Sequence, residues 1–270
     1  MSLHAHLLDP YHHGDSWVHR ADARVKLILA VLFILISALT PTGIWAVYLL
    51  LLSLVWAAVL VSGLGIRFLL KRSLLALPFV LAALPLLVSV DGRPLAVVSL
   101  GPVTLTISQA GLQRFASVVL RSWISVQAAI LLAATTPFPQ LLVAMRALRI
   151  PRLLVAIVGL MWRYLFVIAD EAVRLMRARA ARSGHPEQAD TRVGGSLAWR
   201  ARVTGGMAGN LLLRSFDRSD RIYQAMLARG YDGEVRTLPS PPITPVDRWT
   251  LVLGTTLLLA LLALGLVLSR

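Results

Sequence analysis

At 270 residues the chain could hold one or two soluble domains, but 57% hydrophobic and only 15% charged residues, with a mean hydropathy of +0.73, exclude an ordinary soluble globule and require lipid. Cysteine is absent, which excludes disulfides, thiolate nucleophiles and iron–sulfur or zinc-thiolate centres. A formal net charge of +14 suits nucleic acid, anionic lipid or an acidic protein partner, so the placement of the charges has to decide among them.

The first 26 residues are polar, with five His and three Asp. They lack the basic start and apolar run of a cleaved signal peptide and are expected to stay on the mature protein. Within them His4, His6, Asp9, His12, His13 and Asp15 could meet a divalent metal, but their spacing matches no closed site. The segment is read as a polar stretch against the cytoplasmic face. Apolar runs follow at about 27–40, 44–62, 73–90, 115–134 and 249–268, most of them near the ~20 residues that cross a hydrocarbon core as helix. The expected fold is all-α: a polytopic helical membrane protein with about five transmembrane helices, six if a further piece at 153–169 also crosses.

Basic residues resist translocation, so their distribution orients the chain. Arg20, Arg24 and Lys26 precede the first run, the link at 41–43 has no charge, the next link carries Arg67, Lys71 and Arg72, and 91–108 offers only Arg93 against Asp91. This alternation places the N-terminus inside. Segment 91–108, with its Gly101-Pro102 pair, is expected to form a short external hairpin or loop. The fourth run carries Arg114 near its outer end and Arg121 deeper, facing protein.

Sixteen of the 27 basic residues lie between Thr135 and Asp247, which keeps that stretch cytoplasmic and makes any crossings within it even in number. The piece 153–169 has Arg163 at its middle, and a lone crossing there would leave twelve Lys or Arg outside. It is read as part of a long amphipathic or half-immersed helix at the cytoplasmic face. A second long helix is expected over 196–229. Its Gly205, Gly206 and Gly209 each cost about 1 kcal/mol of helix propensity, and are expected to allow a close helix crossing. Leu212, Phe216, Tyr223 and Met226 share one face of it. Pro239, Pro241, Pro242 and Pro245 then form a stiff linker to the last span. The chain divides into 1–134, the N-terminal segment and four spans; 135–247, a cytoplasmic helical module; and 248–270, the last span, with the C-terminus outside.

No Asp or Glu occurs over 23–90 or 92–169, and every His lies outside the apolar runs, so the spans lack the buried carboxylates and imidazoles of a proton relay or ion path. Asp170-Glu171 is read as a helix-surface pair near Arg163, Arg174 and Arg177. No phosphate loop, nucleophile elbow or paired-carboxylate motif is present, and no catalytic residue, bound cofactor or metal site is assigned. Two basic pieces remain, Ala181-Arg182-Ser183-Gly184 and Ala228-Arg229-Gly230-Tyr231, each closing an expected helix. Spacing alone accounts for both as caps, since Arg complements the helix dipole and Gly ends the helix.

In order along the chain, Leu8-Asp9, the run His19-Arg20-Ala21-Asp22-Ala23-Arg24-Val25-Lys26, Thr135-Thr136-Pro137, Trp162-Arg163-Tyr164, Asp170-Glu171 and Ala228-Arg229-Gly230 resemble the transmembrane coupling (T) component of energy-coupling-factor transporters, most closely the CbiQ type. The resemblance implies that the two cytoplasmic helices end in tripeptides docking into two ATPase subunits. These tripeptides are Ala181-Arg182-Ser183, which departs from the family's Ala-Arg-Gly pattern at Ser183, and Ala228-Arg229-Gly230. It also implies a CbiO-like ATPase pair holding ATP and Mg, a CbiM-like membrane subunit holding the transported cobalt or nickel, a small CbiN-like subunit, and residence in the bacterial cytoplasmic membrane. Nucleic acid is not among the implied partners. Competing classes are an enzyme acting on phosphate-bearing lipid at the cytoplasmic face, a stand-alone cation carrier, and a basic membrane anchor for RNA or anionic lipid.

Overall fold

The computed structural model describes residues 11–74, 82–90, 93–100, 103–182, 196–233 and 242–269. They fall into two compact units. One is formed by the described residues of 10–148 and 240–270, the other by those of 149–239.

The first unit contains α1 (Trp17–Arg20), α2 (Ala23–Leu39), α3 (Trp45–Ser62), α4 (Ile66–Ser73), α5 (Leu86–Ser89), strands β1 (Pro94–Leu100) and β2 (Val103–Ser108), α6 (Gln109–Thr135), α7 (Phe138–Ala147) and α10 (Pro245–Leu268). α3 shows how sequence becomes packing. It is apolar all round, as a membrane helix is, yet only Val47, Tyr48, Leu51, Val55, Val59 and Ser62 are buried, a single 3.6-period face. Leu49, Leu50, Leu60 and Val61 point outward. The buried face meets Phe33 and Ile36 of α2, Ile124 and Ala128 of α6, and Leu258 of α10.

Apolar side chains find no solvent to flee in a bilayer, so polar contacts and close approach fix such a bundle. The Trp56 indole N–H donates to Gln127 Oε1 at 3.1 Å, and Gln127 is 1% exposed. The Trp123 indole donates to Ser73 Oγ at 2.8 Å. Arg121, expected to face protein, donates from Nη1 to the Ala38 carbonyl at 3.1 Å, beside the C-terminal, negative end of the α2 dipole. At the other end Asp22 caps α2 by accepting from Arg24 N, while its own N–H donates to Asp247 Oδ1 in the first turn of α10.

Three expectations are corrected. The run 73–90 is not one helix. α4 ends at Ser73 and α5 starts afresh after Pro85, because proline lacks the N–H that would continue the ladder and disfavours helix in the residue before it; residues 75–81 lie outside the described set. The last span is not separate, since α10 packs along α2. Nor does the cytoplasmic module begin at 135, because α7, with Ala144 fully buried, packs on α2 and belongs to the membrane bundle. Segment 91–108 does form the hairpin. β1 and β2 pair antiparallel with Val97 opposite Thr106 and Leu100 opposite Val103.

α5 and α6 touch at Gly111, where a Cβ would come within 2.7 Å of the Leu87 carbonyl and 2.9 Å of the Leu86 carbonyl. Backbone cannot swing aside as a side chain can, so Gly111→Ala is expected to destabilise this unit by about 1–3 kcal/mol. Thermal unfolding of the detergent-solubilised chain measures it; an unchanged Tm contradicts the contact.

The second unit contains α8 (Arg152–Arg182) and α9 (Leu197–Ala228). Among the described residues, four helices (α3, α6, α8 and α10) are long and apolar enough to cross a membrane by length and composition. α2, at 17 residues, extends about 26 Å. The chain is a polytopic α-helical membrane protein carrying one β-hairpin.

Candidate coupling site

α8 changes character along its length. An apolar stretch with Leu153, Ile157, Met161 and Leu165 exposed at four-residue spacing gives way at Asp170-Glu171 to an arginine-rich end. α9 is polar on balance and buries no residue of its own, so little apolar packing holds the pair together. Charge does so instead. The Glu171 side chain is 9% exposed; Arg218 Nη2 reaches its Oε2 at 2.7 Å and Arg214 Nη1 its Oε1 at 3.1 Å. Glu171 lies beyond the apolar stretch, and hydrogen bonds from Arg218 and then Arg214 hold its carboxyl below the usual range despite burial. Glu171 is therefore a carboxylate at neutral pH. Further along, Arg179 Nη1 donates to Thr204 Oγ1 at 3.0 Å, and its guanidinium lies 6.0 Å from the Trp199 ring centroid.

These contacts give the direction of the pair. Later residues of α8 meet earlier residues of α9, so the helices run antiparallel and their C-terminal ends lie at opposite ends of the pair. Arg182 is the last residue of α8 and Arg229 the C-cap of α9; both are exposed. Glu171 to Arg182 and Arg218 to Arg229 are each eleven residues, about 16 Å of helix rise, so two arms of equal length extend from one ionic contact. At the α9 end the Gly230 N–H donates to the Leu227 carbonyl at 2.9 Å and the Tyr231 N–H to the Met226 carbonyl at 3.0 Å. With Gly230 at φ +77°, this is a complete Schellman cap, as the Ala228-Arg229-Gly230 spacing implied. Ala181 and Arg182 are the last described residues of α8, and Ser183 and Gly184 lie outside the described residues.

Two sequence readings change. Glu171 is not a surface group satisfied on its own helix; its partners are 43 and 47 residues away on α9. The available signal was that Arg214 and Arg218, four apart, share a helix face and can grip one carboxylate. Gly205, Gly206 and Gly209 do not create the crossing, because a Cβ at any of them meets nothing within 4 Å. The expected stripe is open, with Leu212, Phe216 and Tyr223 all exposed.

Among the described residues no group of three or more His, Cys, Asp or Glu could hold a metal; His4, His6 and Asp9 fall outside that set. His19 has another use. Its Nε2–H donates to the His12 carbonyl at 3.1 Å and its Nδ1 lies 2.7 Å from Ser16 Oγ, within hydrogen-bond reach. Burial, with the Lys26 and His12 charges against the Asp15 carboxylate, lowers its pKa from 6.5. The unfolded chain therefore takes up the proton first, and this stabilisation fades as pH drops through 6.5 toward the folded value. A thermal-unfolding series from pH 8 to 5 is expected to show wild type losing more Tm than His19→Gln; parallel curves contradict the assignment.

The model for the cobalt transport protein family CbiQ matches residues 14–239, which include α1 to α9 and both arginine ends but not α10. The chain belongs to the CbiQ family. It is 32% identical over 239 residues to the cobalt transport protein CbiQ of Salmonella typhimurium, covering 84% of this chain and 97% of that one. It is also 32% identical over 189 residues to CbiQ of Rhodobacter capsulatus, covering 69% and 72%. The energy-coupling factor transporter transmembrane protein EcfT of Lacticaseibacillus paracasei is 29% identical over 237 residues, covering 84% and 85%. These CbiQ and EcfT relatives are transporter components by name.

Proposed function

We propose that this CbiQ-family chain is the transmembrane coupling subunit of an energy-coupling-factor importer for a transition-metal ion, cobalt first and nickel second. The observation that carries the reading is the α8–α9 pair, with two exposed arginines at opposite ends, equal arms and one ionic contact between them. In this reading the helical unit at 149–239 faces the cytoplasm, Arg182 and Arg229 dock into the two ATPase subunits, and ATP-driven closure turns α8 against α9. The open Leu212, Phe216 and Tyr223 face passes the movement to a metal-binding membrane subunit. A guanidinium suits the docking role because it stays charged and grips a carboxylate with two parallel bonds.

The chain supplies force transmission, and ATP hydrolysis and metal binding reside in its partners. Proteoliposomes containing the chain, the ATPase pair and the metal-binding subunit are expected to accumulate radiolabelled cobalt only with ATP. Liposomes with the chain alone should accumulate none. Uptake by the chain alone makes it a carrier and removes the coupling role; ATP-driven uptake that does not need the chain removes it as well.

A further inference from the structure

Four small residues on four helices, Ala30 of α2, Ala58 of α3, Ala128 of α6 and Gly254 of α10, leave a cavity of about 310 Å³ within the membrane bundle. Phe33, Val55 and Leu258 form its deep wall. The wall is hydrocarbon except at one end, where Lys26 and Thr135 line it beside Trp17. Trp17 is 56% exposed, placed as aromatic residues are at a membrane interface.

Lys26 is the single charged lining residue. Its ammonium donates to the Thr135 carbonyl at 3.0 Å and the His19 carbonyl at 3.3 Å; an ammonium has three donors, so among the described residues one remains for a ligand. The neighbouring carboxylates act on Lys26 only through space and spend their hydrogen bonds elsewhere. Asp22 Oδ1 accepts from Arg24 N, and Asp247 accepts from Asp22 N and from the Thr244 hydroxyl. Positive charge at this end, on the side where the basic segments cluster, calls for an anion from the same leaflet.

The lining decides between occupants: an almost wholly hydrocarbon wall with one ammonium at its interfacial end matches a molecule that is apolar along its length and anionic at one end, as an acyl chain under a phosphate is. Lys26 and Phe33 are seven residues apart on α2, about 10 Å of rise, against the roughly 15 Å depth of one leaflet's hydrocarbon. We infer that this cavity is a binding site for one acyl chain of an anionic phospholipid of the cytoplasmic leaflet, with its phosphate held at Lys26.

The test is native mass spectrometry of the full chain, delipidated in detergent and titrated with dioleoyl phosphatidylglycerol or dioleoyl phosphatidylcholine. Wild type is expected to retain one phosphatidylglycerol about five-fold better than phosphatidylcholine, the preference one interfacial lysine confers. Lys26→Gln should erase the preference while keeping the weaker phosphatidylcholine binding, and Lys26→Arg should restore it. Ala58→Phe fills the cavity and should cut retention of both lipids at least ten-fold; Ala30→Leu, a smaller fill, serves the same purpose if the first variant does not fold. Equal retention of the two lipids by wild type overturns the site, as does wild-type retention by whichever filled variant folds. Loss of a partner subunit, and not of lipid, from a filled variant assigns the cavity to that partner and overturns it equally.

Discussion

Reversing both arginine tips, Arg182→Glu with Arg229→Glu, is expected to abolish co-purification with the ATPase pair and all ATP-driven uptake while leaving the chain folded. Both side chains are exposed at helix ends, so the unbound protein loses little. Each docked arginine that meets a carboxylate in a desolvated groove contributes about 2–5 kcal/mol by truncation, or some 30-fold to several thousand-fold in affinity. A single reversal leaves the other tip attached but removes the avidity of two linked sites, typically a hundred-fold or more. Pull-down of the ATPase by each single variant and the double variant, at fixed salt, gives the order wild type, singles, double. Wild-type pull-down and uptake by the double variant reject the docking assignment. A uniform drop for reversal of any exposed arginine, Arg163 or Arg200 for instance, points instead to general charge attraction.

Glu171 carries the second large effect. Removing its carboxylate leaves Arg214 and Arg218 facing each other without their shared acceptor, and α9 has no buried side chain to hold it in place. Arg214 is 52% exposed and Arg218 27%, so solvent recovers part of the loss. Glu171→Ala is expected to weaken the α8–α9 contact by about 1–3 kcal/mol. Spin labels at 182 and 229 should then change from one distance, about 30–40 Å by helix rise, to a broad distribution. ATPase activity in the complex should persist while uptake falls, the signature of a drive disconnected from its load. The exchange Glu171→Arg with Arg218→Glu should recover part of the coupling in a double-mutant cycle. An unchanged label distance in Glu171→Ala shows that the triad does not set the geometry.

Local signals made much of this legible in sequence. Span-length apolar runs, the β1–β2 hairpin, and the Gly230 cap all rest on period, turn chemistry or φ requirements that act within a few residues. Pro85 is such a signal too, since a proline inside an apolar run breaks the helix there. The ionic contact was not legible, because Glu171 finds its partners across 43 and 47 residues and nearer arginines on its own helix offered an equally good electrostatic explanation. The glycines at 205, 206 and 209 mislead for a related reason: a small residue permits close approach without naming what approaches. The coupling module's start was misplaced because α7 is nearly as apolar as a buried helix and as basic as a surface one, and only its packing on α2 decides.

Gly230 also acts as punctuation. A residue with a Cβ resists its left-handed backbone, and if the helix continued by one residue each following side chain would turn through about 100° and advance 1.5 Å. A substitution there, touching no other described part of the molecule, would re-aim the final arginine's surroundings and, in the proposed docking, change the shape the tip offers its partner. The bearing of that tip is thus written in a hydrogen atom where every other amino acid carries carbon.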